Sequence, residues 1–65
     1  MKLIVRKSIS KKTNKPFAML ILDIGYRMAI LSFDTSLCAE ALGVSVKDLM
    51  TLDDGDYVVI EDKIE

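Results

Sequence analysis

An unbroken apolar run at Phe17–Leu22 is the feature that most constrains the fold of this chain. Six residues between Pro16 and the turn signal Asp23–Gly25 are short for a helix, so the run predicts a strand buried on both faces. A second apolar stretch, Tyr26–Phe33, follows Gly25, which can take a positive φ and close a short hairpin. Because both strands are apolar on both sides, a small sheet built from them needs cover on each face.

Two further strands and a helical insert complete the predicted elements. Alternating apolar and polar residues at Leu3–Ile9 predict the first strand, and Tyr57–Ile60 predicts the last. Between them, a helical insert at about 35–50 is divided by Gly43, which suits the end of a helix. Ser45 has the side chain expected of the residue that caps the second, short helix.

The element order β-β-β-α-α-β predicts a single α+β domain spanning residues 1–65. Because the strands are joined by tight connections, we expect an antiparallel curled sheet or a partly open OB-like barrel, with the helical insert at about 35–50. A domain of this size buries only about 60% of its unfolded surface. We also expect a homodimer, since the apolar strands exceed what one short helix can cover.

Few residues are suited to catalysis or metal binding. The chain contains no His and one Cys, and Cys38 falls on the apolar stripe of the predicted helix, where a buried structural thiol is expected. The acidic turn Asp53–Asp56 lacks the ligand spacing of a calcium-binding EF-hand loop. The sequence therefore predicts a non-enzymatic protein with no cofactor and no metal site.

No apolar segment approaches the roughly 18 residues of a membrane span. The lone cysteine fits a reducing compartment. We expect a soluble, cytoplasmic protein without a membrane partner.

Formal charge is divided between the two halves of the chain. Residues 1–27 carry seven Lys or Arg and one acid, which gives +6, whereas residues 28–65 carry two Lys and nine acids, which gives −7. The cations lie beside aromatic residues on the first strand and at two hairpins, a combination typical of proteins that bind single-stranded nucleic acid. The candidate nucleic-acid-binding residues are Arg6, Lys7, Lys11, Lys12, Lys15, Phe17, Tyr26 and Arg27. Core positions are also expected of Phe17 and Phe33, and an exposed position of Tyr26.

The segment Lys15-Pro16-Phe17, followed by Leu22-Asp23-Ile24-Gly25 and Tyr26, resembles the K-P-Y … V-D-L-G … Y pattern of filamentous-phage single-stranded-DNA-binding proteins. The resemblance covers roughly residues 8–33. It implies a small OB-like β-barrel dimer from a phage or another mobile element, with Lys15, Phe17 and Tyr26 as DNA contacts.

Two alternative functions stay open. In the first, a protein–protein interaction module docks a partner through its apolar sheet face and through the acidic surface around Asp53–Asp56 and Glu61–Glu65. A second copy of the chain could also bind to this acidic surface by its basic half. In the second, Ala39–Leu49 resembles the A-x-x-L-G-V-S-x-x-x-L core of helix-turn-helix repressors, which implies a DNA-reading helix after Ser45. That helix would carry only Lys47 as a basic reader.

Overall fold

The computed structural model describes residues 1–62 as a four-stranded antiparallel sheet with two short helices. In chain order the elements are β1 (Lys2–Ile9), β2 (Pro16–Asp23), β3 (Met28–Ser32), α1 (Thr35–Leu42), α2 (Val46–Thr51) and β4 (Gly55–Glu61). The strand order is β3-β2-β1-β4, so β3 and β4 are the edges of an open sheet. The predicted α+β class, element order and antiparallel pairing are confirmed. Part of the predicted charged tail, residues 63–65, lies outside the described residues.

The two central strands set the register of the sheet. β1 and β2 pair over their full length, from Lys2 opposite Asp23 to Ile9 opposite Pro16. Val5 and Leu20 lie opposite each other and point to the same face. Every second residue of these strands is therefore assigned to one face by the pairing.

One face of the sheet, here named the covered face, carries the helices and the core. α1 packs mainly against β2 and also contacts β1 and β4. Each large aliphatic side chain that this packing buries, such as Leu20 or Leu49, contributes about 1.5–3 kcal/mol. The buried cluster on this face consists of Val5, Ala18, Leu20, Cys38, Ala39 and Leu49.

The helix ends are fixed by local hydrogen bonds. The Asp34 side chain accepts from the Ser36 N–H at 2.9 Å and caps α1. Gly43 ends α1 in the left-handed conformation, with φ of 73°. The Ser45 hydroxyl accepts from the Asp48 N–H at 3.1 Å and caps α2. The division of the insert at Gly43 and the cap at Ser45 are therefore as predicted, and Asp34 is the residue that caps α1.

The other face of the sheet, here named the open face, is apolar and bears no element of residues 1–62. A row of aliphatic side chains crosses all four strands in register, from Ile30 through Ile21 and Ile4 to Val58. Ile4 and Ile21, on the central strands, are buried, whereas Ile30 and Val58, at the two edges, are 54% and 51% exposed. The described part of the chain therefore leaves the two ends of this row exposed.

The third strand is shorter than the predicted Tyr26–Phe33. Residues 24–27 form the turn, in which the Asp23 carboxylate accepts from the Gly25 N–H at 2.8 Å. At the other end, Phe33 is 63% exposed, so its expected core position is wrong. The physical reason is that β3 is an edge strand, and α1 packs mainly against β2 instead.

Candidate nucleic-acid interface

The connection between β1 and β2, residues Ser10–Lys15, is here named the basic hairpin. The Ser10 hydroxyl accepts from the N–H groups of Lys12 at 3.3 Å and Thr13 at 3.4 Å. Asn14 adopts a left-handed backbone with φ of 56°, and its N–H donates to the Ser10 carbonyl at 2.8 Å. Asn tolerates this conformation better than most residues do. The loop therefore has a defined backbone from which its lysines extend.

The three lysines of the basic hairpin, Lys11, Lys12 and Lys15, are exposed. Within residues 1–62 none of them forms an ion pair, and residues 10–15 include no acid. Three uncompensated positive charges within five residues produce a local positive potential that attracts anions. The arrangement is suited to phosphate contacts.

The Arg6 side chain pairs with an acid of the neighbouring strand β4 and is not part of a free basic surface. Its Nε donates to Asp56 Oδ1 at 2.7 Å, and its Nη2 donates to Asp56 Oδ2 at 3.1 Å. The two-bond geometry, together with the charge of each partner, raises the pKa of Arg6 and lowers the pKa of Asp56. Because this pair already uses the guanidinium, Arg6 is not a free phosphate ligand.

Lys7 is enclosed on the covered face, where only 4% of it is exposed. Its Nζ donates to the Leu52 carbonyl at 3.1 Å and lies 3.7 Å from Asp54 Oδ1. Strand alternation places Lys7 on the same face as Val5, and this signal was already present in the sequence. Lys7 therefore links β1 to the connection between α2 and β4, and its buried ammonium group is not available to phosphate.

Tyr26 and Arg27 lie at the opposite end of the sheet from the basic hairpin. Consecutive hairpins that share a strand emerge at its two ends, and β2 has eight residues, so about 26 Å separates them. Tyr26 is 86% exposed. Arg27 borders a groove of about 250 Å³ whose other lining residues are Leu22, Ile24, Met28 and Ala29. The sequence grouped the two hairpins as one basic surface, but a single copy of the chain does not bring them together.

Two aromatic side chains lie toward the end of the sheet that carries the basic hairpin. Phe17, two residues after Lys15, is half-buried and lies opposite Ser8 on the open face. Phe33 is exposed and directly follows Ser32, which pairs with Leu20, the fifth residue of β2, so the chain at Phe33 continues toward the hairpin end of the sheet. Phe33 was missed as a candidate because its exposure depends on which strands α1 covers, and no local signal in the sequence gives that.

The helix-turn-helix-like segment folds as α1, a turn at Gly43 and α2. α2 has only six residues, about 9 Å of helix, and its Leu49 is fully buried in the core. Lys47 is exposed on this short helix. The segment thus serves as the layer that packs on the covered face.

Other kinds of site have little support in residues 1–62. These residues contain no group of three or more side chains that could hold a metal ion. Cys38 is fully buried, and its burial, followed by the nearby charge of Asp34, raises the pKa of the thiol. No helix in this range is long and apolar enough to cross a membrane.

Comparisons with protein families, with curated proteins and with solved structures find no match to this chain.

Proposed function

We propose that this chain is a non-enzymatic nucleic-acid-binding module that favours single-stranded DNA, of the kind carried by phages or other mobile elements. The observation that carries the proposal is the basic hairpin, with three exposed lysines that form no ion pair within residues 1–62. Their ammonium groups would contact successive phosphates, and the released counterions would make binding depend steeply on salt.

The aromatic side chains near the hairpin favour a single strand over a duplex. Bases of a single strand are free to stack on protein aromatic rings, and each such contact contributes about 1–3 kcal/mol. Phe33 offers an exposed ring, and Phe17 offers a partly exposed ring at the base of the hairpin. We therefore assign phosphate contacts to the lysines and base stacking to these two rings.

The resemblance to filamentous-phage single-stranded-DNA-binding proteins supports the same proposal, because its Lys15 and Phe17 belong to this end of the sheet. We extend the proposal to an OB-like relationship. In it, the open sheet and the basic hairpin would correspond to the binding side of the barrel. Tyr26 takes part in the resemblance but lies at the other end of the chain's sheet.

Fluorescence anisotropy with a labelled oligothymidylate at several salt concentrations tests the proposal. We expect binding at low salt that weakens as salt rises. Duplex DNA and single-stranded RNA of matched length establish the preference. No binding to any of them at low salt would refute the nucleic-acid function, and binding that salt leaves unchanged would refute the phosphate contacts.

A charge-matched pair of variants locates the site. Lys11→Gln with Lys12→Gln removes two positive charges from the basic hairpin, and Lys2→Gln with Lys47→Gln removes two from elsewhere. If both hairpin lysines contact phosphate, the first variant lowers the slope of log affinity against log salt by about 1.4, at about 0.7 per contact. The control variant should keep the wild-type slope. Equal slopes in the two variants would remove the hairpin from the site.

A protein–protein interaction module is the second candidate, favoured by Ile30 and Val58, the two exposed ends of the aliphatic row on the open face. Asp53 and Asp54 are exposed just before β4, so the partner that fits best is an apolar surface bordered by basic residues. A basic amphipathic peptide is a suitable probe. Binding of this peptide, with loss on Val58→Lys and no oligonucleotide binding by the wild type, would favour this candidate over the first.

A further inference from the structure

The two edges of the sheet differ in how they discourage pairing with another chain. β4 contains Asp56 and Glu61 and follows two further acids. Charges of this kind protect an exposed edge from additional strands. β3 has the sequence MAILS, with no charge and no proline, and four of its five residues are exposed. An uncharged, exposed apolar edge is a surface that pairs readily with another strand.

We propose that two copies of the chain pair through their β3 strands, and that each nucleic-acid site combines the basic hairpin of one copy with Tyr26 and Arg27 of the other. The second half of this inference rests on the proposed function. The strand that pairs with β3 is the β3 strand of a second copy, because both strands then have the same uncharged apolar pattern. Pairing with a β4 edge would instead place acids beside β3.

The geometry follows from a two-fold axis at Ile30, the middle residue of β3. Antiparallel pairing then places Ile30 opposite its counterpart and joins the two sheets into one of eight strands. An antiparallel arrangement turns the second copy end for end. Its Tyr26–Arg27 turn therefore lies at the end where the first copy carries the basic hairpin.

The pairing shortens the separation of the two candidate regions. Within one chain the turn and the hairpin are about 26 Å apart, along the eight residues of β2. Across the proposed pair, the Tyr26 turn of the second copy begins about 10 Å to the side of β2 and, because Ser32 pairs with Leu20, about 13 Å along the strand from Pro16. The turn therefore begins about 16 Å from the base of the basic hairpin. A single strand of DNA can pass between groups at that distance. The second copy thus supplies the highly exposed ring of Tyr26 and the charge of Arg27.

A stable contact takes a substantial share of the surface of a chain this small. A standard interface takes about 800 Å² from each partner, about a sixth of the 4835 Å² surface of the chain. The strand edge supplies part of this area. Leu31 in β3 and Leu37 in α1, which closely follows β3, are also exposed and extend the apolar contact.

Sedimentation velocity on a matched pair of variants tests the pairing. Ile30 and Val58 belong to the same row of the open face and are almost equally exposed, but they lie on opposite edges. Ile30→Lys places two like charges opposite each other at the two-fold axis, so we expect a monomer. Val58→Lys should stay dimeric. A monomeric wild type would overturn the pairing, and so would a dimer that only Val58→Lys dissociates or that both variants dissociate.

A disulfide gives a second measurement should Ile30→Lys fail to fold. In a Cys38→Ala background, Ile30→Cys should form an intermolecular disulfide on mild oxidation, since residues opposite each other in antiparallel strands have Cα atoms about 4.5–5.5 Å apart. Val58→Cys in the same background should remain a free thiol. The reverse pattern of cross-linking would overturn the proposed edge.

Subunit mixing tests the shared site. One variant lacks the hairpin charges (Lys11→Gln, Lys12→Gln, Lys15→Gln), and the other lacks the opposite turn (Tyr26→Ala, Arg27→Gln). Each variant alone should bind oligothymidylate weakly. After the two are unfolded and refolded together, mixed dimers contain one complete site, so a component with wild-type affinity should return. The same mixture carrying Ile30→Lys should not recover.

The outcomes separate this inference from the proposed function. Wild-type binding without recovery in the mixed dimers would refute the shared site and leave the nucleic-acid function standing. A dimer that binds no nucleic acid would refute the proposed function and the shared site together, while the pairing through β3 would stand on sedimentation and cross-linking alone.

Discussion

At the scale of single residues, two positive charges of β1 form contacts within the protein and are not free to bind a ligand. Arg6 is held by Asp56, and Lys7 is held by the Leu52 carbonyl beside Asp54. These contacts convert two apparent phosphate ligands into stabilising groups. Their roles can be tested by stability measurements, independently of any nucleic acid.

The Arg6–Asp56 pair predicts a pH-dependent contribution to stability. Because the pKa of Asp56 is lowered in the folded state from its ordinary 3.8, the contribution is present above that value and disappears as pH falls through the folded pKa. Both side chains are partly exposed, so Asp56→Asn should cost only about 0.2–1 kcal/mol near neutral pH. Urea unfolding of both proteins, near neutral and at acidic pH, should show the difference shrinking in acid.

Asp53→Asn is the matched control, because the Asp53 carboxylate forms no ion pair within residues 1–62. It should leave the urea midpoint almost unchanged near neutral pH. A difference between Asp56→Asn and wild type that persists unchanged in acid would contradict a role for the ionised carboxylate.

Lys7 is predicted to be structural. Lys7→Met keeps an apolar stem but leaves the Leu52 carbonyl without its donor, which should cost about 1–3 kcal/mol. Lys7→Ala should cost more, because packing on the covered face is lost as well. Lys47→Ala, an exposed control, should change the unfolding free energy by less than about 0.5 kcal/mol. If folded Lys7→Met lost DNA affinity as strongly as the hairpin variants, the structural role would be wrong.

At the scale of elements, the turn between α1 and α2 depends on the backbone of Gly43. Its φ is 73°, and a Cβ added there would meet no atom within 4 Å. The cost of Gly43→Ala should therefore come from the backbone alone, about 1–2 kcal/mol. Gly43→Asn should cost less, because Asn tolerates the left-handed region. Thermal unfolding of the two variants checks this order, and equal losses would indicate a contact with the new side chain instead.

The elements could be predicted because their signals are local. Gly43 and Ser45 mark helix ends through backbone angles and hydrogen bonds within a few residues. Non-local facts were harder to reach from the sequence. The exposure of Phe33 depends on which strands α1 covers. The distance between the basic hairpin and the Tyr26–Arg27 turn depends on the full length of β2.

At the scale of the whole molecule, the divided charge and the partly exposed open face belong to one arrangement. The basic hairpin and the Tyr26–Arg27 turn occupy opposite ends of the chain's sheet, and the acids of β4 border the edge far from β3. A two-fold pair through β3 would place both acidic edges outermost. It would also leave the apolar row of the open face continuous across the joined sheets, next to each shared site.

The same pairing predicts how stability depends on concentration. A 65-residue domain without disulfides is marginally stable alone, and association of folded copies stabilises them by mass action. The Tm of the wild type should therefore rise with protein concentration. Ile30→Lys should show a lower Tm that does not vary with concentration, whereas Val58→Lys should keep the wild-type dependence. A wild-type Tm that is independent of concentration across the range where sedimentation detects a dimer would mean that the association contributes nothing to folding, contrary to pairing through a strand of the sheet.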